Sequence, residues 1–248
     1  GGTWRDETPS VDIALDPLEG TTITARGDLN AISVVAIAEK GCFLHAPDTY
    51  MSKIAVGGAA KGAIDLTKSV SENLKSVASA LKKKLNEMTV IILDRERHKA
   101  VIQEIRDCGC RIILIRDGDV AASIATALEG RGVDMLIGAG GAPEGVISAA
   151  ALKCLDGDMQ GKLAFRNDME KERALEMGIH DLEKIYAIDE LARGHVMFAA
   201  TGVTDGQMLE GIRTVPRGVT SNSVVMRSET GTIRFIKSIH TFKRPFEF

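Results

Sequence analysis

The residues best placed to do chemistry are Asp16 and Glu19, in the string Asp16-Pro17-Leu18-Glu19-Gly20-Thr21. Two carboxylates with a hydroxyl two residues further on suit a hard divalent cation, which takes oxygen ligands and leaves positions for water and phosphate. What must position them is a strand. In Val11-Asp12-Ile13-Ala14-Leu15 the apolar residues recur with a period close to two. Pro17 cannot donate to a sheet ladder, so the strand is predicted to end there with Asp16 at its tip, and Gly20 permits a tight turn. The same residue types also describe an ordinary polar turn closing a strand.

Further along, the pattern becomes short apolar strands alternating with amphipathic helices, which predicts a parallel α/β sheet covered on both faces. Strands are expected at 89–93, 111–115 and 133–137, with helices at 97–108, 120–128 and 146–155. Earlier segments read as a hairpin (29–38 with 41–44), a short strand (53–56) and a helix capped by Ser71. Towards the end, 168–177 reads as a helix, 196–201 as a strand, and 218–226 with 232–239 as a hairpin.

In open α/β sheets ligands bind beyond the carboxyl ends of the strands, and three of these strands end in polar turns. The first turn holds Arg95 and Arg97, which can grip phosphate bidentately or sit solvated. The second is Asp117-Gly118-Asp119, two acceptors fit for sugar hydroxyls, or an Asp119 that only caps the next helix. The third is Gly140-Gly141-Ala142-Pro143-Glu144-Gly145, a predicted helix N-terminus with free N–H groups suited to phosphate. Glu144 there is a metal ligand or an acid favoured by the helix dipole. The five histidines show no ligand spacing and read as structural or exposed. No G-x-S-x-G string is present, which disfavours a serine hydrolase.

Composition narrows the class. At 248 residues, with 44% apolar and 26% charged residues, the chain can bury an ample core. A net charge of −3 with mixed signs carries no nucleic-acid footprint, and no apolar run is long enough to span a bilayer. Four scattered cysteines without a zinc pattern fit reduced thiols in a cytoplasmic protein. A soft boundary near Met88 divides residues 1–88, a metal-binding α+β domain, from 89–248, an α/β substrate-binding domain.

The string 16–21 resembles the metal motif of the magnesium-dependent sugar- and inositol-phosphatase superfamily, with Glu19 where many members carry a second Asp. Ala46-Pro47-Asp48-Thr49-Tyr50-Met51, Asp117-Gly118-Asp119-Val120-Ala121-Ala122, the 140–145 string and Ala200-Thr201-Gly202-Val203-Thr204-Asp205-Gly206 resemble the bacterial class II fructose-1,6-bisphosphatases, over essentially the whole chain. The resemblance implies a layered α/β/α/β/α sandwich, a homo-oligomer (dimer or tetramer), and release of the 1-phosphate of fructose 1,6-bisphosphate with Mg2+ or Mn2+. Some relatives also cleave sedoheptulose 1,7-bisphosphate.

By position, Asp16, Glu19 and Glu144 would hold metal. Glu19, Gly20 and Thr21 would meet the scissile phosphate, with Glu19 and Thr21 as the catalytic pair. Tyr50, Arg95, Arg97, Asp117, Gly118, Asp119 and Gly141 would hold the rest of the substrate. Family members also carry an amino-terminal helical segment with further acidic ligands; nothing in residues 1–20 matches it, so the first domain reads as N-terminally incomplete. The competing readings are another phosphatase of the superfamily, acting on an inositol monophosphate or a nucleotide 3′-phosphate, and a non-catalytic sugar-phosphate-binding protein.

Overall fold

The computed structural model describes residues 10–216 and 218–241. In chain order the elements are β1 (Val11–Glu19), α1 (Thr21–Arg26), β2 (Ile32–Glu39), β3 (Tyr50–Val56), α2 (Val70–Ala80), β4 (Thr89–Leu93) and α3 (Lys99–Asp107). They continue with β5 (Arg111–Ile115), α4 (Asp119–Ala125), β6 (Met135–Gly141), α5 (Ala142–Cys154), β7 (Asp158–Ala164) and α6 (Asp168–Glu176). The chain closes with β8 (Ile185–Ala187), α7 (Ile188–Leu191), β9 (Val196–Gly202), β10 (Arg213–Val215), β11 (Gly218–Arg227) and β12 (Thr232–Thr241).

Two six-stranded sheets result. One runs β1-β2-β9-β11-β10 with β12 paired to β11; the other runs β5-β4-β6-β3-β7-β8. Both therefore draw strands from either side of Met88. The fold is mixed α/β. Helix α5 touches strands of both sheets, and its Val146, Ile147, Ala149, Ala150, Ala151 and Leu152 are all buried. Small alanines let two sheets approach one helix, so its sequence shows no polar face. Helices α2 and α3 cover the other face of the second sheet, where Leu74, Val77, Ile102 and Ile105 meet Ile54, Val90, Ile92 and Met135. Because β4 is buried on both faces, its sequence is a continuous apolar run.

Three expectations need correction. The second sheet is not wholly parallel: β4 is parallel to β5 and β6, but central β3 is antiparallel to both β6 and β7. Strand β7 escaped the pattern reading because its polar residues and Gly161 weaken it. Gly161 has a packing reason, since an added Cβ would stand 2.5 Å from Met51 Sδ. Residues 41–44 form no hairpin with the preceding strand. The chain leaves β2 through Gly41, Asp12 accepts the amides of Gly41 and Phe43, and Phe43 bridges to Ala192 instead.

The third correction matters most for the site. Pro17 does not end β1. Asp16 pairs with Val34 and Glu19 with Ile32, so one extra residue is accommodated between them. Pro17 lies in this bulge, where a missing N–H costs no ladder bond, and the Leu18 amide is satisfied by Asp16 Oδ1 at 2.9 Å. In a regular strand, residues three apart face opposite ways. The bulge removes that mismatch and turns Asp16 and Glu19 towards one side.

The remaining differences are at element ends. The α2 cap is Ser69, in a reciprocal capping box with Glu72. Helix α5 begins at Ala142 rather than Val146, with Pro143 in its first turn. The expected 218–226/232–239 hairpin is β11 with β12. Among the described residues no helix is long and apolar enough to cross a membrane.

Candidate active site

The ends of β1, β4, β5 and β6 open onto one pocket of about 280 Å³. Asp16, Glu19, Gly20 and Thr21 line it from the first sheet; Tyr50, Arg95, Arg97, Asp117, Asp119, Gly141 and Glu144 line it from the second. Gly118 stands just behind, at the start of α4, with φ of 86° and Glu19 Oε2 within 3.8 Å of where its Cβ would be. A sequence reading spread over more than a hundred residues thus converges on one cleft.

Its acidic side is crowded. Glu19 is 2% exposed; its Oε1 accepts the Val120 amide at 3.2 Å, and its Oε2 has no hydrogen-bond partner among the described residues. Burial, reinforced by the charge of Asp119, pushes its carboxyl well above the ordinary glutamate range. Glu144, in the first turn of α5, also keeps an oxygen without a partner among those residues, and burial raises it as well. Asp16 and Asp119 add negative charge to both. Among the described residues no three such side chains are drawn to a common point as a ready metal cage. The donor set nevertheless fits a hard cation: carboxylates that repel one another, with one buried oxygen on each of Glu19 and Glu144 left without a partner among the described residues.

One basic group inside this region was invisible in the sequence. Lys53, on β3, is 1% exposed, and its Nζ lies 2.5 Å from Asp119 Oδ2 and 3.2 Å from the Gly141 carbonyl. Asp119 therefore does not cap α4, whose N-cap is Gly118. It is held from beneath by a lysine. Alternation along β3 places Lys53 inward, but only the fold brings it to Asp119.

The helix N-terminus is less open than predicted. The Ala142 amide donates to Thr49 O at 2.9 Å, Pro143 has none, and the Glu144 amide meets its own side chain. Positive charge near the pocket comes instead from arginines. Arg97 Nη2 donates to Ala139 O at 2.6 Å, and its guanidinium lies 4.5 Å from the Tyr50 ring centre. Arg95 Nη2 donates to Arg116 O at 2.6 Å. Carbonyl anchors fix these forks while leaving other N–H groups for a ligand.

His98 is structural, as its spacing implied. Its Nε2 accepts the Ala139 amide at 2.8 Å, so Nδ1 carries the proton donated to Leu93 O at 2.7 Å. The bond ties the end of β4 to the β6 terminus that borders the pocket. All four cysteines are free thiols; burial lifts Cys110 to about 11 and Cys154 to about 12, so neither is a ready nucleophile.

Fold and site together place carboxylates and guanidiniums around one polar pocket at the carboxyl ends of β1, β4, β5 and β6. The family model for bacterial fructose-1,6-bisphosphatase, glpX-encoded, matches residues 2–240. Fructose-1,6-bisphosphatase 1 class 2 of Escherichia coli is 47% identical over 257 residues, covering 98% of this chain and 76% of its own length. The D-fructose 1,6-bisphosphatase class 2/sedoheptulose 1,7-bisphosphatase of Microcystis aeruginosa is 44% identical over 253 residues, covering 97% and 73%; the Synechocystis protein of the same name matches equally. The chain belongs to the bacterial class II fructose-1,6-bisphosphatase family.

Proposed function

We infer that this chain is a fructose-1,6-bisphosphatase, hydrolysing the 1-phosphate ester of fructose 1,6-bisphosphate to fructose 6-phosphate and inorganic phosphate, with sedoheptulose 1,7-bisphosphate as a second substrate. The observation that carries it is the two-sided pocket, found in a chain that belongs to this family. Carboxylates alone would repel both phosphates of such a substrate; the arginines accept one, and a cation held by the acids admits the other.

Asp16, Glu19 and Glu144 would hold Mg2+ or Mn2+, which supplies charge neutralisation at the phosphoryl group and a more acidic bound water. The chain's own residues do the positioning. Thr21, the first residue of α1, presents its hydroxyl to orient the attacking water; a threonine is a poor base alone, so its task is placement. Gly20, at φ 93°, lets the backbone turn there without a side chain. Asp117, Gly118 and Asp119 receive sugar hydroxyls, with Lys53 fixing Asp119. Gly141, whose added Cβ would collide with the Glu144 carboxylate, keeps that acid's approach clear. Tyr50, Arg95 and Arg97 grip the phosphate that is not cleaved. Water adds to phosphorus, the bond to the sugar oxygen breaks, and that oxygen leaves with a proton. We further read the assembly as a cytoplasmic homo-oligomer and the full fold as the family's α/β/α/β/α sandwich.

The test is phosphate release from fructose 1,6-bisphosphate with and without Mn2+, on this chain and on Thr21→Ala. Metal-dependent release, lowered about a hundredfold in the variant, is expected. Wild-type protein that binds the substrate and releases nothing would reject the reaction in favour of a binding protein.

A further inference from the structure

The pocket's basic side extends beyond Arg95 and Arg97. Tyr50 opens β3, which lies between β6 and β7. Arg97, anchored on the Ala139 carbonyl of β6, lies over the Tyr50 ring. Arg166, just past the end of β7, places its guanidinium 5.0 Å from the same ring centre. One phenol thus meets two guanidiniums, one from the turn after β4 that is anchored on the Ala139 carbonyl of β6 and one from just past β7.

Arg166 is held more firmly than a solvated surface charge. Its Nε donates to Glu170 Oε1 at 2.5 Å and its amide to Glu170 Oε2 at 2.8 Å. Thr49 Oγ1 donates to the same Oε2 at 2.6 Å, and the Glu170 amide is tied to the Asn167 side chain, the cap of α6. Glu170 is buried, 8% exposed, while the Arg166 side chain is half exposed. The outer edge of the guanidinium is nearly uncommitted: among the described residues its one further contact is from Nη2 to Asp48 O at 3.4 Å. A fork clamped at Nε, stacked on an aromatic ring and free at its outer nitrogens is set up to receive an oxyanion.

We propose that Arg166 is a specificity-determining residue that binds the uncleaved phosphate of the sugar bisphosphate, together with Tyr50 and Arg97. This rests on the reading of the pocket given above. The scissile phosphate must lie by the carboxylates, because water and cation are handled there. The distal one is repelled from that side and needs fixed positive charge at the other. Clamping by Glu170 removes the ordering cost that a free arginine side chain would add on binding. A bisphosphate is thereby favoured over a monoester that has no group to place there.

The experiment measures equilibrium binding of fructose 6-phosphate and of inorganic phosphate to the Mn2+-loaded protein, with KM and kcat for fructose 1,6-bisphosphate alongside. Arg166→Gln is expected to weaken fructose 6-phosphate and raise KM by about tenfold, with inorganic phosphate binding and kcat changed by less than about twofold. Arg166→Lys, which keeps the charge but not the fork, falls between. Thermal unfolding near the wild-type midpoint confirms a folded variant, as the half-exposed position implies. Unchanged fructose 6-phosphate binding, or equal weakening of both ligands, would overturn the proposal. Selective weakening in a protein that releases no phosphate would support Arg166 and reject the phosphatase reading; a wild-type protein binding neither ligand rejects both.

Discussion

On the acidic side of the pocket, Glu19 and Glu144 each keep a carboxylate oxygen without a hydrogen-bond donor among the described residues, while on the basic side Arg95, Arg97 and Arg166 are tied to carbonyls or a carboxylate. The first arrangement is uncomfortable alone and is relieved by a ligand. The second is already satisfied and loses little on meeting one. On the function proposed above, the difference assigns reactivity to the first set, through stored repulsion, and recognition to the second, through rigidity.

The sharpest way to break this comparison is Glu19→Gln. The amide keeps an oxygen for Val120 N but loses the charge. Turnover is expected to fall by about a thousandfold or more, while the metal-free protein melts at a higher temperature than wild type, because a buried, repelled carboxylate has gone. Full activity, or a lower midpoint without metal, would contradict the picture of the acidic side.

Next in size is Lys53→Met, which strands the Asp119 carboxylate in the interior. The expected loss is about 3–5 kcal/mol in chemical denaturation. Adding Asp119→Asn to the same chain should recover more than half of that stability without restoring turnover. A double variant no more stable than the single one would mean that Lys53 acts through packing rather than through Asp119.

The smallest effect is in the pH dependence of melting without metal. Glu19 and Glu144 titrate higher folded than unfolded, so the folded state binds more protons between the ordinary glutamate range and their raised values. Their contribution is full below that window and is lost as pH rises through it. The midpoint should fall with rising pH on the order of a few degrees, and Mn2+, which needs the ionised carboxylates, should flatten or reverse the slope. Identical slopes with and without the cation would remove the electrostatic explanation.

Much of this was legible in the chain. The runs 89–93 and 111–115 are buried strands because nothing polar interrupts them, and the turns after them hold the groups that line the pocket. Hidden features depend on what lies across space. Lys53 reads as one more strand lysine until Asp119 is brought beside it. Arg166 carries no signal in the sequence, and its setting emerges only where Glu170 and Tyr50 meet it. The Ala142 amide reads as free until Thr49 O occupies it. Pro17 misled for a different reason: its inability to donate was correctly weighed, but a bulge is the one place in a strand where that inability is harmless.

The bulge between Asp16 and Glu19 also makes the site sensitive to parity. Substitutions at Pro17 or Leu18 leave both carboxylates on one side as long as the bulge persists. Regularising the ladder with the residue count kept would leave the two acids three apart in an ordinary strand and swing Glu19 to the opposite face, whereas deleting one residue would leave them two apart on the same side. For the function proposed above, the irregularity of this strand is thus as much a part of the aim of the two carboxylates as their own identity.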